Sequence, residues 1–167
     1  FKTMTRFILL LLAFVALSSC STTKVYMPVR SATTIDLINL PAEKITVVVN
    51  DLRSDKGKGE EMATLVKSEI ESALNQNATS QITKDYKLVV DIIEYRSFFS
   101  LAVWNGSTKM RARIIGNDNK VIGTWEGVGT AQRSNTMGYS TAKAVAQDSY
   151  NNAIADLFSN LSSVNLD

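Results

Sequence analysis

The sequence predicts an α+β domain in which one mixed or antiparallel sheet carries two helices on one face. Strand-like segments and only two helix-like segments follow one another as strand, helix, three-strand meander and helix. Each predicted helix has a single apolar stripe, so both helices are expected to bury that stripe against the sheet. The chain has one cysteine, so this domain must be stable without an intrachain disulfide.

The first strand is predicted at 45–50, where Ile-Thr-Val-Val-Val-Asn suits a strand buried on both faces. Before it, residues 33–40 alternate weakly, which fits either an edge strand or part of a tether. After it, a polar loop leads to a helix with apolar residues at helical spacing. The apolar stripe comprises Met62, Leu65, Val66, Ile70, Ala73 and Leu74, and the polar face comprises Glu60, Glu61, Lys67, Glu69 and Glu71.

The meander begins with a clear strand at 86–95, which continues into an apolar run at 98–104. Asn105-Gly106-Ser107 is a turn signal. Residues 109–115 then alternate between inward apolar residues and outward arginines. A hairpin loop at 116–119 leads to a strand at 121–131, whose glycines at 123, 127 and 129 allow bulges or close packing of a neighbour.

The last helix shows the strongest periodicity in the chain. Ser140 or Thr141 can cap its N-terminus. Its predicted buried stripe comprises Ala142, Val145, Ala146, Ala153, Ile154, Leu157, Phe158 and Leu161.

The N-terminal segment is typical of an exported lipoprotein. Basic residues precede an apolar run at 7–17, and Leu17, Ser18 and Ser19 lead directly to Cys20. The run is too short for a membrane span, which needs roughly 20 residues. The Leu-Ser-Ser-Cys spacing argues against an ordinary secretory signal with an incidental cysteine. We therefore expect cleavage before Cys20 and lipid attachment to its thiol.

These boundaries divide the chain into a signal peptide (1–19), an acylated cysteine with a flexible tether (20–32) and one periplasmic domain (33–167). The chain starts with Phe1, so Met4 is a candidate start residue. Of the 167 residues, removal of the first 19 leaves 148, the length of one domain. It also removes Lys2 and Arg6, so the formal net charge falls from +2 to zero. A neutral chain gives no support for nucleic-acid binding.

Composition also limits the catalytic mechanisms that the chain could use. The chain has no histidine, which excludes Ser-His-Asp and Cys-His mechanisms and zinc sites made of Cys and His. Ser140-Thr141-Ala142-Lys143 matches the Ser-x-x-Lys motif of penicillin-recognising enzymes, but their companion motifs are missing. We interpret this motif as a capped helix with an exposed lysine.

Two further patterns lack the spacing that their chemistry needs. Lys-Gly-Lys-Gly at 56–59 is not a phosphate-binding loop, and we interpret it as a solvated turn. Asp51, Asp55, Asp91 and Glu94 match no known cation-binding loop. We therefore expect no metal, no cofactor and no enzymatic activity.

The run Phe-Phe-Ser-Leu-Ala-Val-Trp at 98–104 has two interpretations. It is either a buried strand end, which we favour, or an apolar hairpin tip that docks a partner or touches the bilayer. Aromatic residues are enriched at the centres of interfaces. The candidate partner surface comprises Asp51, Arg53, Asp55, Phe98, Phe99 and Trp104.

Four segments carry a family resemblance: the lipobox ending at Cys20, Thr-Thr-Ile-Asp-Leu at 33–37, Val-Val-Val-Asn-Asp-Leu-Arg-Ser-Asp at 47–55, and Asn-Ala-Ile-Ala-Asp-Leu at 152–157. Through them the chain resembles the YajG-type lipoproteins of Gram-negative bacteria. That family has no assigned activity, so the resemblance implies a compartment. The element order is also similar to the amino-terminal domain of the Tol-system translocation protein and to lipoprotein activators of penicillin-binding proteins.

Together these observations predict a non-enzymatic outer-membrane lipoprotein that faces the periplasm. Its lipid binds the membrane, and its domain is expected to bind an envelope protein. Ser21 occupies the position at which an aspartate retains enteric lipoproteins in the inner membrane. The alternative is a periplasmic binder of a small ligand or glycan, held in a cleft between the sheet and the helices.

Overall fold

The computed structural model describes residues 23–24, 26–32, 35–55, 61–76, 82–100, 102–134 and 141–166. The elements are β1 (Thr23–Lys24), β2 (Leu37–Pro41), a 3-10 turn (Ala42–Lys44), β3 (Ile45–Asp51), α1 (Met62–Ala73), β4 (Leu74–Asn75), β5 (Tyr86–Ser100), β6 (Val103–Gly116), β7 (Val121–Ser134) and α2 (Ala142–Ser162). Their order confirms the predicted α+β class.

Four long strands form the main sheet in the spatial order β3-β5-β6-β7. β3 runs parallel to β5, and the other neighbours are antiparallel. The two-residue β1 pairs antiparallel with the far end of β5, on the same edge as β3. The weakly alternating segment at 33–40 does contain a strand, β2, but β2 pairs with β4 in a separate two-stranded sheet.

Both helices pack on one face of the main sheet and share one hydrophobic core with it. α1 lies mainly against β3, whereas α2 crosses β5, β6 and β7. The predicted stripe of α2 is buried throughout. Thr141 caps this helix, since its Oγ1 accepts a hydrogen bond from the Ala144 N–H at 3.1 Å. Ser140, the other capping candidate, lies outside the described residues. No helix within the described ranges is long and apolar enough to cross a membrane.

Helix α2 approaches the sheet closely because glycines lie beneath it. A Cβ added to Gly127 would lie 2.6 Å from the Ala153 carbonyl oxygen. A Cβ on Gly129 would overlap the Ser149 carbonyl oxygen. These two glycines therefore accommodate the helix backbone, as their position in a predicted strand allowed.

The predicted turn at 105–107 is wrong, because these residues lie inside β6. Gly106 faces α2, where a Cβ would overlap the Val145 carbonyl oxygen. The glycine that resembled a turn residue thus serves helix packing. The chain reverses instead between Ser100 and Val103, which are paired, and Ala102 has a φ of 62° there.

Strand β3 is buried on one face only, in contrast to the expectation that both faces are buried. Ile45 and Val47 point into the core, whereas Thr46 is exposed and Val48 is half-buried. The reason is that both helices lie on the same side of the sheet.

The outer edge of β7 is hydrogen-bonded to α2. Asn152 Nδ2 donates to the Thr130 carbonyl, and Asn160 Nδ2 donates to the Glu126 carbonyl, each at 2.9 Å. Between them, the Val128 N–H donates to Asp156 at 2.9 Å. Residues 152, 156 and 160 follow one another at intervals of four, so one helix face runs along alternate residues of the strand.

Candidate functional site

The segment at 26–32, expected to be part of a flexible tether, is docked against the domain. Tyr26 and Met27 pack on the core. The Val29 N–H donates to Gln147 Oε1 at 2.8 Å, and Gln147 Nε2 donates to the Val29 carbonyl at 2.9 Å. The tether prediction is therefore corrected for these residues. Cys20 and the cleavage residues at 17–19 lie outside the described part of the chain.

Glu69 also holds this segment, although the sequence placed it on the polar face of its helix. The side chain is buried, accepting hydrogen bonds from the Ser31 N–H at 2.6 Å and from Tyr150 Oη at 3.0 Å. Burial raises the pKa of Glu69, although these hydrogen bonds and the charge of Arg30 oppose the shift. The prediction of a solvent-facing Glu69 is wrong because α2 and the docked segment both converge on this side chain.

Asp51 and Arg53 form a buried ion pair directly after β3. The guanidinium donates from Nε and Nη2 to the two carboxylate oxygens at 2.9 and 2.7 Å. It also lies 6.0 Å from the ring centroid of Tyr95. Arg53 is only 4% exposed, so it is not the surface contact that the sequence suggested. Its bidentate pairing stabilises the chain where it leaves the strand.

Asp55, the third polar member of the predicted surface, is exposed beside a small cavity of about 290 Å³. This cavity lies on the edge of β5, in the gap between Asp51 at the end of β3 and Lys24 at the end of β1. Tyr95 lines it, and burial raises the pKa of Tyr95 to about 12 although the charge of Arg53 opposes the shift. The cavity is small for a ligand site.

The acidic residues weighed as cation ligands have other partners. Asp91 accepts hydrogen bonds from Asn50 at 2.8 Å and Arg113 at 2.7 Å. Glu94 accepts one from Arg96 at 3.0 Å. No group of three or more His, Cys, Asp or Glu side chains suited to a metal occurs among the residues that the structure describes.

Phe98, Phe99 and Trp104 come together at the end of the β5–β6 hairpin. We call residues 98–100 and 102–104 the hairpin tip. Phe99 lies opposite Trp104 with 5.2 Å between ring centroids, and the Arg96 guanidinium lies 5.2 Å from the Phe98 ring centroid. All three aromatic side chains are partly exposed. The run thus lies at a hairpin end and is partly exposed, so the favoured interpretation of a buried strand end is wrong for these three side chains.

The face of the sheet opposite the helices is left uncovered by the described elements. Its outward side chains carry five positive and three negative charges, a surplus of two positive charges: Lys87, Arg96, Lys109, Arg111 and Arg113 against Asp91, Glu94 and Glu126. We call it the uncovered face.

Ion pairs connect the strands of the uncovered face. Glu126 pairs with both Lys109 and Arg111, at 3.1 and 3.2 Å. Hydrogen bonds from these two cations lower the pKa of Glu126. For Glu94, burial raises the pKa, but hydrogen bonds from Ser107 and Arg96 and nearby positive charges outweigh it and lower the pKa overall. Glu94 and Glu126 are therefore held in their charged form.

A larger cleft of about 650 Å³ lies around the β6–β7 hairpin, at the end of the sheet away from the hairpin tip. Tyr86, Val121 and Ile122 contribute its apolar wall, with Lys84 and Lys120 nearby. Its volume is within the range of small-ligand sites. The cleft lies at the end of the sheet rather than between sheet and helices, where the ligand-binding alternative had placed one.

The remaining candidate motifs lie at least partly outside the described residues. Lys143 is exposed in the first turn of α2, whereas Ser140 is outside those residues, as is the segment at 56–59.

No protein-family model and no curated protein matches the sequence. Several solved structures are similar to it. A Xanthomonas campestris protein described under the family model DUF330 is 12% identical, with a TM-score of 0.46 over 82% of this chain and 90% of that chain. A candidate lipoprotein from Caulobacter crescentus is 14% identical, with a TM-score of 0.43 over 72% and 86%. Lipoprotein GNA1162 from Neisseria meningitidis is 15% identical, with a TM-score of 0.35 over 60% and 88%. The similar structures thus include bacterial lipoproteins, and likenesses of this strength carry no functional argument.

Proposed function

We propose that this chain is a non-enzymatic, YajG-type lipoprotein of the outer membrane whose uncovered face binds an acidic segment of an envelope protein. The anchor is Cys20, on the evidence of the Leu-Ser-Ser-Cys boundary. Ser21 after the anchor favours the outer membrane. The domain itself then faces the periplasm.

The charge of the uncovered face is the observation that supports this binding role. One carboxylate, Glu126, is shared between Lys109 and Arg111, so the positive charges on this face exceed the negative ones. The side chains of these two cations are 38% and 45% exposed. Surface cations in excess attract an acidic partner and fix its orientation more than they raise its affinity.

The anchor is tested by labelling cells with a clickable fatty acid. The wild-type protein should incorporate the label, and Cys20→Ser should remain unlabelled and unprocessed. Density-gradient separation should place the labelled protein with outer-membrane markers. Equal label on Cys20→Ser contradicts the anchor, and recovery only with inner-membrane markers contradicts the location.

Partner binding is tested by photocrosslinking in living cells from a crosslinker at Thr124, on the uncovered face. Charge reversal at Arg111→Glu should weaken the crosslink, because it removes the positive surplus. Lys67→Glu is the matched control, since Lys67 lies on the outer surface of α1 with its side chain 48% exposed. A crosslink equally affected by both reversals, or by neither, would contradict the proposed surface.

The cleft beside the β6–β7 hairpin supports a second candidate function, the binding of a small molecule. Its apolar wall and Lys84 suit a ligand with an apolar body and an anionic group, whereas Lys120 pairs with Asp118 of the same cleft at 3.2 Å. Native mass spectrometry of protein purified from cells should then show a bound mass. Ile122→Asp should abolish that mass, and Val128→Asp, on the same strand outside the cleft, should retain it. A bound mass that persists in Ile122→Asp excludes this cleft as its site.

A further inference from the structure

We infer that the hairpin tip contacts the bilayer surface directly, beside the lipid on Cys20. The inference rests on the proposed function for its anchor and adds the orientation of the domain on the membrane. The ligand of the tip is the headgroup layer of the lipids.

The strand register places the anchor near the hairpin tip. Lys24 lies opposite Ser97 and Thr23 opposite Phe98, so the chain approaches the tip when followed towards its N-terminus. Cys20 precedes Thr23 by three residues, and three residues span at most about 11 Å. The end of β5 at Ser100 is two residues beyond Phe98, or about 7 Å. Anchor and tip are therefore close neighbours.

Docking of the N-terminal segment keeps this arrangement in place. Gln147 holds Val29 through two hydrogen bonds, and Glu69 holds the Ser31 backbone. A free tether of a dozen residues would let the domain stand far from the membrane, with roughly 20 Å between its ends on average. With the segment docked, only the few residues between Cys20 and Thr23 separate the lipid from the fold.

The side chains at the tip suit a membrane interface. The Phe99–Trp104 pair and Phe98 are partly exposed, and aromatic residues are enriched at the level of lipid headgroups. Arg96 and Arg133 flank them, with side chains 48% and 47% exposed. Each is also ion-paired, with Glu94 at 3.0 Å and Asp148 at 2.7 Å, and an interfacial arginine keeps its stem on apolar surface with its charged end outward.

The available distance decides between lipid and protein at the tip. Each headgroup layer is about 5–8 Å thick, which takes up about half to three quarters of the roughly 11 Å that the chain before Thr23 can span. A protein domain about 10 Å or more across, the diameter of one helix, does not fit between tip and bilayer. The tip is therefore a membrane contact, and partner binding belongs to the uncovered face.

The two tryptophans of the chain provide the test. Trp125 pairs with Ala112, eight residues along β6 from Trp104, which places it about 26 Å farther from the tip. The lipidated protein is reconstituted into phosphatidylethanolamine and phosphatidylglycerol vesicles with brominated acyl chains, which quench tryptophan near the membrane. In Trp125→Phe, the remaining Trp104 should lose most of its emission. In Trp104→Phe, the remaining Trp125 should keep its emission.

Several outcomes separate the inference from the proposed function. Fatty-acid label on Cys20 together with an unquenched Trp104 overturns the inference and leaves the anchor intact. Equal quenching of both tryptophans overturns it as well, because it shows a domain lying flat on the membrane. Absence of the label removes the anchor and the inference with it. The wild-type protein is the control for a folding defect in either variant. It contains both tryptophans, so its loss of emission should lie between those of the two variants.

Discussion

The two faces of the main sheet are built on opposite physical principles. On the helix-covered face, glycines at 106, 127 and 129 let the backbone of α2 lie directly on the strands. On the uncovered face, neighbouring strands present side chains such as Arg113 and Asp91, which pair across the surface. The stability of the covered face depends on close packing, so adding a single carbon atom there causes a steric clash. The uncovered face depends on charges near water, where most substitutions change stability little.

The glutamates show the same contrast. Glu69, on the covered side, has a raised pKa because burial disfavours its charge. Glu126, on the uncovered side, has a lowered pKa because Lys109 and Arg111 hydrogen-bond to it. The surroundings on the covered side thus disfavour ionisation of a glutamate, whereas those on the uncovered side favour it.

The largest expected effect comes from closing the gap beneath α2. The Cβ of Gly129→Val would overlap the Ser149 carbonyl oxygen, and two methyl groups add further bulk, so the helix must move. We expect a loss of about 4 kcal/mol or more in the free energy of unfolding, at the extreme for a single substitution. Thr130→Val is the control, since it adds a β-branched apolar residue to the other face of the same strand. Urea denaturation compares the two, and similar losses would contradict the contrast between the faces.

The next largest effect is expected from the buried ion pair. Arg53→Met leaves the carboxylate of Asp51 buried without its bidentate partner, which should cost about 3 kcal/mol. Arg96→Met, at a half-exposed pair on the uncovered face, should cost about 1 kcal/mol or less. Thermal and urea unfolding provide both values. An Arg53→Met protein as stable as Arg96→Met would mean that the buried pair is not structural.

A smaller effect should distinguish the two glutamates by pH. Because the pKa of Glu69 is raised above its ordinary 4.5, its stabilising contribution is complete below pH 4.5 and lost as the pH rises through the raised value. Glu69→Gln should therefore gain stability relative to the wild type as the pH rises from 4.5 to neutrality. Tyr150 can still donate to the amide oxygen, which retains the hydrogen bond.

The same measurement on Glu126→Gln should give the opposite trend. Because the pKa of Glu126 is lowered, its contribution is present above pH 4.5 and lost as the pH falls through the lowered value. The stability of this variant should therefore fall relative to that of the wild type as the pH rises. Unfolding curves over a pH series measure both trends. If the stability of the two variants relative to the wild type changed with pH in the same direction, the opposite pKa shifts of Glu69 and Glu126 would be refuted.

The smallest change is expected at Arg111→Gln on the uncovered face. Its pair with Glu126 is exposed and Lys109 remains as a second partner, so stability should change by about 0.5 kcal/mol or less. Differential scanning calorimetry measures this shift. A loss as large as that of Arg53→Met would show that the uncovered face also supports the fold.

Periodic patterns in the sequence were sufficient to predict most elements of the fold. The stripe of α2, the outward arginines of β6 and the hairpin after Gly116 follow from local spacing and are all present. Gly106 was misread because glycine after asparagine is a turn signal wherever it occurs. Its partner, Val145, is distant in the sequence, and nothing local indicates it.

The buried polar residues were harder to predict for the same reason. Glu69 contacts residues 38 and 81 positions away, so its helical spacing alone places it wrongly in solvent. Arg53 contacts its neighbour Asp51, but its burial depends on Tyr95 in another strand. The two residues of β1 are too few to show any periodicity, although their pairing places Thr23 beside the hairpin tip.

The hydrogen bonds from Asn152, Asp156 and Asn160 to the outer edge of β7 have a consequence for crowding. Proteins anchored by lipid share one plane and one orientation, which brings like edges face to face at high local concentration. An open strand edge under those conditions recruits the next copy and grows into an extended sheet. Here three backbone groups of that edge, at Glu126, Val128 and Thr130, already have intramolecular partners. The helix therefore terminates the sheet between Glu126 and Thr130, and we expect crowded copies of the domain to remain separate molecules along this part of the edge.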